Sequence, residues 1–247
     1  MREWGTHLTP RVSVVIPVHN EGDAISYVIR RISEAIQFEH EILIVYDSPD
    51  DRSIPVVNAI SSDNNHVRGV LNPLGPGPAK AIRAGIHESQ APVVVVTMAD
   101  GCDDPDQIPT LVKLVERGVV IAAASRYLKG GRQIGGPFLK SLISRLSGLS
   151  LYYLGRVGTR DATNSFKAYS RHFLQQVSVE SKHGFELGIE LVSKARRHRL
   201  PVAEIPTIWL DRTFGESKFK LAQWAPHYLR WYFYAFGPRL SKNQKEY

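Results

Sequence analysis

Along the first half of the chain, short unbroken apolar runs alternate with stretches whose apolar residues recur every third or fourth position. Arg11–Pro17, Glu41–Tyr46, Val67–Leu71, Val93–Met98 and Val119–Ala124 are runs of the first kind. They are too short for ordinary helices and lack the in–out alternation of a half-exposed sheet. Each reads as a strand buried on both faces. Between them, 24–36 sets Ile25, Val28, Ile29, Ile32 and Ile36 on one helical face. Further helices are predicted over 54–60, 79–88 and 105–116, the last opened by Pro105 at its favoured first position. Strand and helix in alternation predict βαβ units and a mostly parallel, Rossmann-like sheet flanked by helices, an α/β fold.

Past Ala124 the alternation stops. Residues 125–132 are basic and carry glycine, 137–154 has the spacing of an amphipathic helix or helix pair, and 161–169 reads as a turn entering a strand. A helix over 185–197, a strand over 202–209, a polar loop over 211–218 and a helix from about Lys218 to Phe236 complete the chain. We divide it into a domain of residues 1–218 and a C-terminal aromatic amphipathic helix with polar tail, 219–247.

Polar chemistry gathers just past the strands. The valine run at 93–96 leads straight into Ala99-Asp100-Gly101-Cys102-Asp103-Asp104. Open α/β sheets place ligands there, and hard carboxylate oxygens suit Mg²⁺ or Mn²⁺ carrying nucleotide phosphates. Asp100 is the expected metal ligand, while Asp103 or Asp104 caps the helix that follows. Glu21 and Asp47, at the ends of neighbouring strands, are placed to meet a nucleotide.

Composition narrows the partner. A formal charge of +7 and a pI near 9.5 point to something anionic: nucleic acid, membrane or a phosphorylated substrate. Nucleic acid fits poorly, because the cations sit in the motif loops and around an aromatic helix. The single cysteine, Cys102, excludes a disulfide framework and fits a reducing compartment. No leader-like apolar segment opens the chain, and no run reaches the ~18 residues of a spanning helix. A dinucleotide-binding dehydrogenase is excluded by the first turn, which reads Pro17-Val-His-Asn-Glu21 instead of a glycine fingerprint.

Five segments in order carry a resemblance. VSVVIPVHNE at the first strand, Ala99-Asp100, Ser125-Arg126-Tyr127 with Gly130-Gly131, the Asp161–Tyr169 segment, and Arg212-x-x-Gly215-Glu216-Ser217-Lys218 resemble the motifs of family 2 glycosyltransferases of the GT-A fold. The likeness is greatest to the branch that makes polyprenyl-phosphate mannose or glucose, and runs from about Val12 to Lys218. It implies an inverting transfer of a hexose from a UDP- or GDP-sugar to a polyprenyl phosphate, with Mg²⁺ or Mn²⁺.

By that resemblance Pro17, His19, Glu21, Val45, Asp47 and Ala99 hold the nucleotide, and Asp100 the metal. The family's first acid falls on Met98 and its next ligand on Cys102, so Asp103 is the expected second ligand. Arg212 and Lys218 clamp the donor diphosphate. Arg126, Lys140 and Ser144 hold the acceptor phosphate, with Asp100 and Arg126 as the catalytic pair.

The final helix, with Trp224, Tyr228, Trp231, Tyr232, Phe233, Tyr234 and Phe236 among basic residues, reads as lying on a membrane surface, with 142–154 as a second candidate surface. The expected place is therefore the cytoplasmic face of a membrane, peripherally held. Two alternatives stay open. One is a family 2 transferase with a hydroxyl acceptor on a glycolipid or cell-wall glycan, using Asp103, Asp104 or Asp161 as base. The other is an inactive nucleotide-binding module, which Met98 and Cys102 would suit.

Overall fold

The structure, a computed structural model, describes residues 9–211 and 221–240, with the backbone alone for 221–223. A seven-stranded sheet runs through its centre in the order β3-β2-β1-β4-β7-β5-β8. The strands are β1 (Val12–Val18), β2 (His40–Tyr46), β3 (Val67–Leu71), β4 (Val93–Val96), β5 (Ile121–Ser125), β7 (Lys167–Ser170) and β8 (Val202–Pro206). All neighbours are parallel except at β7, which pairs antiparallel with both β4 and β5.

Because successive strand residues point to opposite faces, each βαβ strand feeds two cores. Val12, Val14 and Ile16 of β1 face α1 (Ala24–Ala35) and α4 (Ile108–Glu116). Val15, with Leu43 and Val45 of β2, faces α3 (Pro78–Glu88) on the other side. This two-sided burial is why the runs lack alternation. α2 (Ile54–Asp63) covers the outer strands. α7 (Leu187–Arg197) and α8 (Leu221–Ala235) complete the second face, where Trp231 is 2% exposed.

Chain order meets the sheet in a way that makes a cleft. β1 continues outward through β2 to β3, and the chain then returns to place β4 on the other side of β1. The crossovers leave in opposite directions at this switch point, so the carboxyl ends of β1 and β4 border an open crevice.

Several predicted elements are corrected. The strand expected over 202–209 is two, because Pro206 cannot donate to a ladder and the chain crosses at Thr207 into a small sheet of β6 (Arg132–Ile134) and β9 (Ile208–Leu210). The helix expected from Pro105 begins as a 3₁₀ turn, Pro105–Gln107. The 137–154 segment is one continuous element, α5 (Phe138–Ser150) running into a π-helical turn, Leu151–Gly155. The short α6 (Arg171–Gln176), started by the Ser170 hydroxyl accepting from Phe173 N–H, was not foreseen.

Two glycines set how closely the layers approach. A Cβ on Gly85 of α3 would stand 2.3 Å from Val15 Cγ1, and one on Gly148 of α5 would stand 2.1 Å from the Arg160 carbonyl oxygen. Gly85→Ala should therefore lower stability by about 1–3 kcal/mol despite the better helix propensity of alanine, read from the midpoint of urea unfolding.

Candidate active site

The loop after β1 is held from below by the loop after β2. Asp51 accepts from Asn20 N–H (2.8 Å) and Ser53 N–H (2.8 Å), and the Ser53 hydroxyl accepts from Glu21 N–H (3.1 Å). Burial would raise the Asp51 carboxyl; the two N–H donors and His19 outweigh it and hold it below the usual range. Asn20 takes the left-handed conformation there (φ 58°), one that asparagine tolerates. The result presents His19 and Glu21 at the rim. Asp51 and Ser53, which the motif reading passed over, are the residues that shape it.

Asp47 ends β2 and bridges to the next loop: Asn72 donates to one oxygen (2.8 Å) and Gly77 N–H to the other (2.9 Å). Pro17 is half-buried and Ala99 buried at the neck of the crevice. Val45 is fully buried, its side chain packed under α3, so any contact with a ligand there falls to other atoms. Arg212 and Lys218 lie outside the described residues.

The acidic turn after β4 separates its carboxylates by role. Asp100 is half-buried and accepts from Cys102 N–H (3.1 Å). Asp103 is buried and accepts from Thr97 Oγ1 (2.8 Å) and Met98 N–H (3.3 Å). Burial first, then the charge of Asp100, pushes Asp103 up to about 7. Asp104 is the cap, accepting from Asp106 N–H. The Cys102 sulfur is buried and turned toward the Asp100 carbonyl, while its own carbonyl accepts from Leu210 N–H (3.1 Å), tying the turn to β9.

Across the crevice, Arg126 leaves the end of β5 and meets Asp161. The carboxylate takes the Arg126 N–H (3.0 Å), Nε (2.8 Å) and Nη2 (2.8 Å). Burial opposes the charge on each, and the pair more than offsets it: Asp161 is held low and Arg126 raised. Arg126 also reaches Ser144 Oγ (3.4 Å), which bonds Thr163 Oγ1 (2.8 Å). The structure thus brings Arg126 and Ser144 together, with Lys140 one turn earlier on α5. It removes Asp161 as a base, since the carboxylate is wholly buried and occupied by Arg126.

Other buried charges went unread in the sequence. Lys167 enters β7 with its ammonium donating to the Ala162 and Asn164 carbonyls; burial pushes it down to about 7, with Asp161 opposing. Glu186 and Glu190 on α7 accept the N–H groups of residues 180–184. Glutamates four apart among the otherwise apolar residues 185–192 were the available signal.

Fold and crevice define a GT-A-type α/β domain with an acidic turn on one side and a buried arginine on the other. The chain belongs to glycosyl transferase family 2, whose pattern matches residues 13–178. It is 30% identical over 217 residues to a dolichol-phosphate mannosyltransferase of Pyrococcus furiosus, covering 85% of this chain but 59% of that protein. A polyprenol monophosphomannose synthase of Mycolicibacterium smegmatis is 27% identical over 232 residues, 87% of each. Among solved structures, glucosyl-3-phosphoglycerate synthase from Mycobacterium tuberculosis, with Mn²⁺, UDP-glucose and phosphoglyceric acid, shares the fold at a TM-score of 0.69 and 20% identity, over 94% of this chain and 82% of that one.

The buried ammonium gives a sign-defined test. Between pH 7 and about 10.5 the unfolded chain binds the Lys167 proton and the folded chain does not, so stability should rise with pH by up to about 1.4 kcal/mol per unit. Below 7 both states carry the Lys167 proton and its contribution to the slope vanishes. Lys167→Met should abolish the rise in urea titrations at stepped pH.

Proposed function

We propose that this protein transfers a hexose, with inversion, from a UDP- or GDP-sugar to a polyprenyl phosphate at a membrane surface. The observation that carries the reading is the Arg126–Ser144–Lys140 face opposite Asp100: cations and a hydroxyl placed to hold an anionic acceptor across the crevice from the donor phosphates. The similarity to two named polyprenyl-phosphate mannosyltransferases supports mannose as the first sugar to try.

A phosphate acceptor is already ionised at neutral pH and needs no general base. That agrees with a site whose buried carboxylate, Asp161, is spent on positioning Arg126. Nucleotide recognition falls to His19, Glu21 and Asp47, with Arg212 and Lys218 as the diphosphate clamp.

The acidic turn suits Mg²⁺ or Mn²⁺. Burial first and then repulsion from Asp100 raise Asp103, and a divalent cation would relieve that repulsion. Two carboxylates with phosphate and water oxygens make an adequate donor set for such hard ions, and the sulfur of Cys102 is turned away. When bound, the metal would supply charge neutralisation at the departing diphosphate.

The membrane side is read from α5. At about 100° per residue, Phe138, Leu139, Leu142, Ile143 and Leu146 share one face with Tyr153 and Leu154 of the π turn. All are exposed, Phe138 by 80% and Leu154 by 71%, while Gly148 and Leu151 on the opposite face are buried. An apolar stripe roughly 25 Å long thus faces outward beside the acceptor site. α8 has a lesser part than its composition suggests: Trp231 packs inward, Tyr232 meets the Ser150 hydroxyl, and Leu229, Phe233 and Phe236 form the exposed line.

Radiolabelled sugar from a panel of UDP- and GDP-hexoses should enter an organic-extractable product. Asp100→Ala or EDTA should reduce it at least ~100-fold; label in water-soluble or hydroxyl-linked product alone would refute the phosphate acceptor. Lys140→Ala and Ser144→Ala should raise KM for the lipid phosphate roughly 5–30-fold and leave the donor KM in place. Phe138→Ser with Leu142→Ser should cut sedimentation with neutral vesicles without lowering thermal stability, since both side chains already face outward.

A further inference from the structure

The far end of α7, at the sheet edge opposite the crevice, borders an open pocket of about 240 Å³ lined by Arg156, Arg196, Arg199 and Arg239 together with Val157 and Val202. All four arginines line it, Arg196 half-buried and Arg156, Arg199 and Arg239 exposed, and among the described residues no carboxylate pairs with any of them. Arg126, by contrast, is paired with a buried carboxylate of its own. Arg196 is fixed in place by donating to the Gly155 carbonyl (2.9 Å) and the Gly237 carbonyl. Burial, then the charges of Arg239, Arg197 and Arg156, all push its proton affinity down, which is the mark of a cluster assembled against its own repulsion.

The backbone points the same way. Arg156 (φ 54°) and Arg199 (φ 59°) stand in the left-handed region, where glycine or asparagine would fit with less strain. Guanidinium groups delivered at such positions, around an open pocket and without counter-ions, make a receptor for a small multivalent oxyanion.

Its setting suggests where that anion comes from. The π turn ends at Gly155, so the exposed apolar stripe runs directly into Arg156, and exposed Phe236 lies three residues before Arg239. Basic pockets bordered by apolar surface take lipid headgroups. We propose that Arg156, Arg196, Arg199 and Arg239 form a phosphate-binding pocket, separate from the acceptor site at Arg126, that receives the headgroup phosphate of an anionic phospholipid. The lipid source rests on the membrane-facing reading above; the phosphate chemistry of the pocket does not.

The test uses the full chain and the double variant Arg156→Asn, Arg199→Asn, which suits the left-handed backbone and spares Arg196. Sedimentation is compared on phosphatidylcholine vesicles and on vesicles with equal parts phosphatidylglycerol. The variant should lose roughly twentyfold in affinity for the anionic vesicles, about fivefold per arginine, and keep that for the neutral ones. Lys113→Gln with Arg117→Gln, removing the same charge from α4, should leave both unchanged. Isothermal titration with inorganic phosphate should show one site more in the wild type than in the variant. If the wild type ignores all vesicles but keeps that extra site, the membrane reading fails and the pocket stands with a soluble phosphate as its ligand. Equal vesicle binding by wild type and variant, together with equal phosphate stoichiometry, overturns the proposal.

Discussion

The contact on which the crevice depends is the buried pair of Arg126 and Asp161. Removing either charge alone would leave the other stranded in a low-dielectric interior, a loss of about 3–5 kcal/mol. The pair does more than cancel charge. Asp161 accepts from both the backbone and the side chain of Arg126, so it fixes the turn at the end of β5 as well as the guanidinium plane. Through Ser144 and Thr163 the same knot reaches α5, and through Gln133 it reaches β6. Loop, helix and small sheet are thereby held in one geometry around the space a ligand would fill.

How much of this was readable beforehand follows from where the information lies. The doubly buried strands were legible because a run of valines has few other uses, and the switch point follows from their order. Val93–Val96 and its acidic turn announced one wall of the site. The other wall was visible only as similarity of motif, since nothing in the spacing of Arg126 and Asp161 shows that they meet. Asp161 therefore read as a free carboxylate when it is the most fully committed one. The break at Pro206 was written in the sequence, but proline alone does not say that the chain passes into a second sheet. Lys167, Glu186 and Glu190 were missed for a simpler reason: charged residues inside a core are recognised by what surrounds them, and their partners are backbone groups and, for Glu190, the buried Lys194.

α5 inverts the usual rule for a surface helix. Its serines and Gly148 face the protein, and its leucines and phenylalanine face out. Each such side chain withdrawn from water is worth roughly 1–3 kcal/mol, so the stripe is costly exposure in water. Local packing explains the polarity: Gly148 lets the helix approach residue 160 closely, and Ser141 and Ser144 supply small hydroxyls to the Gln133 and Arg126 network. The inward face is selected for the site, which leaves the apolar residues nowhere but outside.

The lone antiparallel strand has a geometric consequence of its own. A parallel strand offers its edge only the residues that leave it, whereas β7, running the other way, offers the residues that arrive. The segment from Thr159 to Lys167 thus reaches the crevice by the entrance of a strand, between two neighbours that reach it by their exits. Changes in that incoming segment can reshape the Arg126 half of the crevice while every βαβ crossover, and with it the half bordered by Glu21 and Asp47, stays as it is. One reversed strand lets the two halves of the site vary independently.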